Sequence, residues 1–302
     1  MFSADELGLL AYLNDNALIS TNRNLQMHSP DTVASAIDRY LRGGGAGDRL
    51  EEDRLLARLG DMHIGKDILA RTTKRVREHL ERGSRIVTYW DTSYPRNLRF
   101  FPDPPLMMFV EGGSFPGRDH TAVVGTVHPS RAGSDLAYEY GARMARKGRT
   151  VVSGLARGID AQVLEGSLGS NGAPIAVLGA PLTDDLSEEL KGLRSEIARN
   201  GALVSEVTEE ACLHPGRLMQ RNRTILGMAR SVVVIESTAV GSIPRMVDLM
   251  LRQGRRAYIV HQSKFENPDH DAGFRRLRNM GAIPVSCPED VFAQEGRQDR
   301  LF

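Results

Sequence analysis

From Gly83 onward the chain alternates short apolar runs with amphipathic stretches, and this rhythm predicts an α/β fold. Continuous apolar segments at 85–90, 106–110, 121–124, 151–153, 175–178, 202–205, 232–235 and 257–260 read as strands. Between them, 134–147, 160–168, 187–199, 224–230 and 244–253 carry apolar residues at helical spacing. Strands that lack a polar face and alternate with helices belong in a doubly wound, mostly parallel sheet, because helices cover both faces. Upstream, the pattern is helical alone: Leu7, Leu10 and Leu13, then Val33, Ile37 and Leu41, recur one turn apart. Pro30-Asp31 before Thr32 marks a helix start and Gly43-Gly44-Gly45 an end, with 48–59 and 68–80 as further amphipathic segments. The expected organisation is a small helical domain over 1–82 and a sheet domain over 83–290. A polar segment from Glu289 follows, with 291–302 as a fraying tail.

The most informative stretch is VVSGLARGIDAQVLEGSL, beginning at Val151. A β-branched run reaches Ser153-Gly154, turns through Arg157-Gly158 and opens a helix at Asp160. Backbone N–H groups at such a turn point outward, and the helix dipole adds partial positive charge, so an anion binds there. Arg157 adds a full charge. Taken alone, Ser153-Gly154 better suits an ordinary tight strand-to-helix connection; Arg157 and the flanking motif reverse the reading towards phosphate. Asp160 is expected as the helix N-cap. A second polar, cationic cluster, Gln220-Arg221-Asn222-Arg223, is read as leading into a helix, with one arginine facing the site and the other facing solvent or an acid. Asn222 suits a hydrogen bond across that loop. Glu206 and Glu236 both follow strands, where a carboxylate can hold a ribose, do acid–base work or, the favoured reading, pair with a nearby arginine.

Composition narrows the class without naming a ligand. The 302 residues are 41% hydrophobic and 25% charged, ordinary for a globular chain, and the net charge of +1 limits any polyanion site to a local patch. Two cysteines, Cys212 and Cys287, stand far apart and read as free thiols. No apolar run approaches a membrane span, and the acidic pair in MFSADELGLL does not suit a signal peptide, so a cytoplasmic, membrane-free protein is expected. The histidines show no metal-ligand spacing, Ser153 lacks a nucleophile-elbow context, and no catalytic constellation, metal or cofactor is predicted. The basic run Arg71, Lys74, Arg75 and Arg77 reads as a solvated helix face, and Trp90 as core.

Four segments together resemble the DprA/Smf family of DNA-processing proteins. They are DTSYPRNLRFFPDPP from Asp91; VVGT from Val123 with Ser130 and Gly133; SGLARGID from Ser153; and Ser205-Glu206, Pro215, RNRTILG from Arg221, VVVIEST and VGS from Val240. The resemblance spans residues 83 to about 285. It implies an extended Rossmann-like domain, a homodimer, single-stranded DNA as ligand and a RecA-type recombinase as partner. It also places Gly125, Thr126, Ser130, Ser153, Gly154, Arg157, Gly158, Gln220, Arg221, Asn222, Arg223, Gly241 and Ser242 at a phosphate-binding site. The chain departs from the family where Val127 replaces the arginine of a GTR triplet and Leu164 a histidine. Leu218-Met219 stands in place of an aromatic-proline pair, and Pro244 and Arg245 interrupt a small-residue run. Those losses suit a second reading: a nucleotide-sensing or nucleotide-cleaving protein resembling LOG enzymes, of a kind that would serve an anti-phage defence system. A surplus of apolar side chains at Ile243, Met246, Val247, Leu249, Met250 and Leu251 suits a dimer contact and, equally, a helix buried on two sides of a large core.

Overall fold

The computed structural model describes residues 2–15, 23, 25–43, 50–115, 119–183, 187–208, 215–262 and 266–298. Cys212 and the Gly44-Gly45 helix stop lie outside them. The chain opens with helices α1 (Ala4–Asp15), α2 (Pro30–Leu41), α3 (Leu50–Asp61) and α4 (Lys66–Glu81). Ser29 caps α2 by accepting from Thr32 N at 3.2 Å, and Pro30 supplies the preset first turn. The basic face of α4 is solvated, with Arg75 on Glu78 and Arg77 on Asp5 of α1.

The sheet follows: β1 (Arg85–Thr88), α5 (Arg96–Arg99), β2 (Met107–Gly112), β3 (His120–Val124), α6 (Arg131–Arg146) and β4 (Thr150–Ser153). It continues through α7 (Ile159–Leu168), β5 (Ile175–Leu178), α8 (Glu188–Asn200), β6 (Ala202–Ser205), α9 (Pro215–Met228) and β7 (Ser231–Val234). It closes with α10 (Ser242–Arg252), β8 (Arg256–Val260), α11 (Pro268–Asn279), β9 (Ile283–Val285) and α12 (Pro288–Gln298). The nine strands form one sheet in the order β1-β2-β6-β5-β4-β3-β7-β8-β9. From β6 to β9 every pairing is parallel; β2 pairs antiparallel with β6 and with β1. This is the expected doubly wound α/β sheet, with an antiparallel pair added at one edge.

Residue parity along each strand divides the core in two. Met107, Phe109, Val123, Val151, Ala176, Leu203, Val233 and Tyr258 face one layer, with α6, α7, α8 and the N-terminal helices. Met108, Val110, Ala122, Val152, Val177, Val204, Val232 and Ile259 face the other, with α5, α9, α10 and α11. The N-terminal helices are therefore not a free-standing unit: Leu9, Leu10 and Leu13 share a hydrophobic cluster with Phe109, and His79 of α4 stacks on Phe109 at 4.1 Å between ring centroids.

Several expectations need correction. Residues 288–298 form a helix, held by Arg149 on Glu295 at 2.6 Å and Arg143 on Glu289 at 2.8 Å, so the segment does not fray from Glu289. Pro215 starts α9, which puts Arg221 and Arg223 in mid-helix instead of at its start. Trp90 lies beyond the end of β1, partly buried, donating from Nε1 to His28 O at 2.9 Å. On α10, Met246, Val247 and Met250 are buried, and Ile243, Leu249 and Leu251 are partly buried against the same core.

Candidate phosphate-binding edge

The loops that follow β3, β4 and β7 share the C-terminal edge of the parallel sheet, where the strand order reverses about β3. Ligands bind at such an edge in doubly wound folds. The turn between β4 and α7 is built to bring backbone close. Gly158 enters α7 with φ of 77°, and a Cβ there would stand 2.6 Å from Thr126 O. Ile159 N donates to Thr126 O at 3.2 Å, and a Cβ on Gly125 would stand 2.6 Å from Ile159. The β3 loop and the α7 turn are thus latched together. Leu155 completes the turn in the left-handed region at φ of 52°.

Beneath this turn lies a buried ion pair. Asp160 is not the N-cap of α7; that place belongs to Gly158. Its carboxylate reaches back to accept from Gly154 N at 3.1 Å, and Arg221 Nη1 stands 3.7 Å away. A Cβ on Gly154 would lie 1.9 Å from Arg221 Nη1, so only glycine admits the guanidinium. Burial raises the Asp160 carboxyl above the ordinary carboxylate range, while Arg221 and hydrogen bonds from the turn oppose the rise. Asn222 Oδ1 accepts from Arg221 Nη1 at 3.2 Å. One turn earlier on α9, Arg217 is buried, and its Nε and Nη1 have no hydrogen-bond partner among the described residues. Sequence reasoning passed over Arg217, which sits in no motif.

Arg157 alone of the predicted cations projects into solvent. Its side chain is 64% exposed, with Nε 3.1 Å from Glu189 at the start of α8. Gly241 and Ser242 are exposed at the head of α10, Gly241 with φ of 112°. Thr126 is half-buried, its N donating to Glu236 O at 2.9 Å and its Oγ1 accepting from His128 N at 3.2 Å.

The remaining predicted residues are engaged internally. Ser153 Oγ is fully buried and donates to Val123 O at 2.7 Å. Arg223 is engaged by Asp103 at 2.7 Å and by Glu206, which follows β6. Glu206 also accepts from Thr224 Oγ1 and, at 3.3 Å, from Gln220 Nε2, which in turn donates to Asn14 O of α1 at 3.0 Å. Glu206 pairs with an arginine, as the sequence favoured; Glu236 does not. Its carboxylate accepts from Ser130 N at 2.8 Å and Ser130 Oγ at 2.6 Å. Gln262 Nε2 adds a contact at 2.8 Å, and His270 Nδ1 stands at 3.2 Å. Gln262 and His270 lie in segments no motif marked.

In its chemistry, the edge offers close backbone approach at Gly158 and Gly241, the exposed guanidinium groups of Arg157, Arg131 and Arg245, and the buried Arg217 and Arg221 beneath them, which is equipment for holding oxyanions. Comparison with known proteins agrees with this architecture. Residues 85–296 match the profile of the DNA recombination-mediator protein A family. Protein Smf of Synechocystis is 34% identical over 168 residues, covering 53% of this chain and 42% of that protein. The DNA processing protein DprA of Bacillus subtilis is 28% identical over 217 residues, 71% of this chain and 72% of that protein. Protein Smf of Escherichia coli is 33% identical over 204 residues, 66% and 53%. The chain thus spans from 42% to 72% of the length of these relatives. Among solved structures, DprA of Streptococcus pneumoniae superposes with a TM-score of 0.68 at 23% identity, covering 92% of this chain and 97% of that one. DprA of Helicobacter pylori, described by its single-stranded DNA binding mode, gives 0.61 at 18% identity, 71% and 97%. With the profile matched over the whole sheet region, the chain belongs to the DNA recombination-mediator protein A family.

Proposed function

We propose that this protein binds single-stranded DNA and acts in DNA processing during recombination or uptake, in the cytoplasm and with a recombinase as partner. Family membership supports the class of function, and the Helicobacter pylori relative supports the ligand. The observation that carries the reading to particular residues is the exposure of Arg157 on the α7 turn, whose ion pair with Glu189 is itself solvent-exposed, while Arg221 and Arg223 are held by the buried carboxylates of Asp160 and Glu206. A cation on an open edge suits a chain of phosphates passing over it, with Gly154, Gly158, Gly241 and Ser242 offering close backbone approach. A homodimer belongs to the proposal through the family resemblance, with Ile243, Leu249 and Leu251 of α10 partly exposed.

The test compares fluorescent oligo-dT with a panel of mononucleotides at two salt concentrations. Oligonucleotide binding that weakens steeply with salt, by about 0.7 in log K per decade for each phosphate held, supports the proposal. Tight, salt-insensitive binding of a mononucleotide with no binding of oligo-dT overturns it.

A further inference from the structure

A doubly wound sheet has two natural phosphate seats at its switch point, each at the start of a helix leaving a central strand. At one of them, the head of α7, Ile159 N and Ala161 N donate within the chain while the Arg157 side chain stands exposed to solvent. The other, at the head of α6, is already filled by this chain's own carboxylate. Glu236 leaves the end of β7 and lays its side chain, with no exposed surface, over the first turn of α6. Gly133 makes room: a Cβ there would stand 2.3 Å from Oε2.

The groups around Glu236 are those that hold a phosphate. Ser130 donates from backbone N and from Oγ, Gln262 donates from its amide, and the His270 ring lies against the second oxygen. Among the described residues no arginine or lysine pairs with it, so its compensation comes from neutral donors, the imidazole and the N-terminal end of the α6 dipole. Ser130 also accepts from Gly133 N at 2.9 Å, so one hydroxyl caps the helix and grips the anion together. Glu236 and two of its partners are buried, His270 at 3% and Gln262 at 7% exposed, and Ser130 is half-buried.

We infer that Glu236 is a built-in anion occupying the α6 phosphate seat, which closes the β3–β7 crevice to the phosphate of a free mononucleotide. It makes Glu236 a specificity-determining residue: monomers lose the enclosed seat, while the exposed Arg157 at the α7 turn stays available to a polymer. The inference does not depend on single-stranded DNA being the ligand.

The test is anion replacement. In Glu236→Ala the donors stay and the carboxylate goes. Inorganic phosphate or AMP should then raise the variant's melting temperature above its value in chloride at matched ionic strength, and leave the wild type unchanged. Glu236→Gln keeps the volume filled and should gain nothing from phosphate. An Ala variant that melts identically in phosphate and chloride overturns the inference. Should the Ala variant not fold in chloride, refolding in phosphate is the readout, and failure there counts equally against it. Hydrogen exchange on the wild type with AMP gives an independent check: new protection of the amides at 130–133 would show an open seat and refute the assignment. Oligonucleotide binding enters none of these measurements, so their failure leaves the DNA reading standing.

Discussion

Replacing Arg223 by alanine should unfold the protein more easily, not merely weaken a ligand. Arg223 is 13% exposed and touches Glu206, itself 3% exposed, and Asp103. Removing one partner of a buried pair leaves an uncompensated charge, which costs about 3–5 kcal/mol. Here Thr224 and Gln220 continue to donate to Glu206. The lower figure, about 3 kcal/mol, therefore applies. At about 2–4 °C per kcal/mol for a domain somewhat smaller than this one, the melting temperature should fall by roughly 6–12 °C. Urea unfolding and calorimetry at neutral pH measure both quantities. The double variant Arg223→Met with Glu206→Gln removes both charges and should recover at least half of the loss. A variant that melts normally yet loses oligonucleotide affinity would refute the argument and make Arg223 a ligand contact.

Arg157→Ala should leave the melting temperature unchanged and lower the salt slope of oligonucleotide binding by about 0.7, one phosphate contact. Glu189→Gln, which frees Arg157 from its ion pair, should act in the opposite direction on affinity; equal binding by both variants and the wild type would make Arg157 a bystander. His79 supplies a pH prediction, because burial against Phe109 depresses its imidazole from 6.5 to about 4. A depressed folded value means its contribution is whole above pH 6.5 and is lost as the pH falls from there towards 4, about 3 kcal/mol at most. Urea unfolding across that window should show the loss in the wild type and a shallower slope in His79→Leu; parallel profiles would rule out His79 as the cause.

Sheet strands were legible because each is a short apolar run with no polar face, and 175–178 and 202–205 coincide with β5 and β6. β9 escaped because Pro284 interrupts a segment of only Ile283–Val285. α11 escaped because its buried face is His270, Gly273, Phe274 and Leu277, which carries little apolar signal. The start of α9 was misread for a different reason: Pro215 looks like a break, yet proline is favoured at a helix's first position. Mid-helix, residues two apart point about 200° from one another, so Arg221 and Arg223 diverge to Asp160 and Glu206. The glycine-arginine turn ahead of α7 was readable because its chemistry lies in consecutive residues. Glu236 was not, because Ser130, Gln262 and His270 reach it from three separate elements, and only the folded chain brings them together.

The helices α6 and α7 meet with no side chains between them at two places. A Cβ on Gly141 would lie 2.0 Å from Val163 O, and a Cβ on Gly166 would lie 2.0 Å from Tyr138 O. Backbone against backbone leaves no rotamer to adjust, so neither helix can slide or rotate without collision. Each helix begins at the sheet edge, so contacts remote from that edge fix the gap between the β3 loop and the α7 turn. The frame and the chemistry are accordingly written in different residues. Arg157, Val127 and Arg245 stand exposed on the loops or at a helix start and can be exchanged without moving the scaffold, whereas the glycines hold the spacing whatever the loops carry. Such a division lets a lineage retune which phosphate-bearing molecule it grips by single substitutions at the rim, while the distance between grips stays constant.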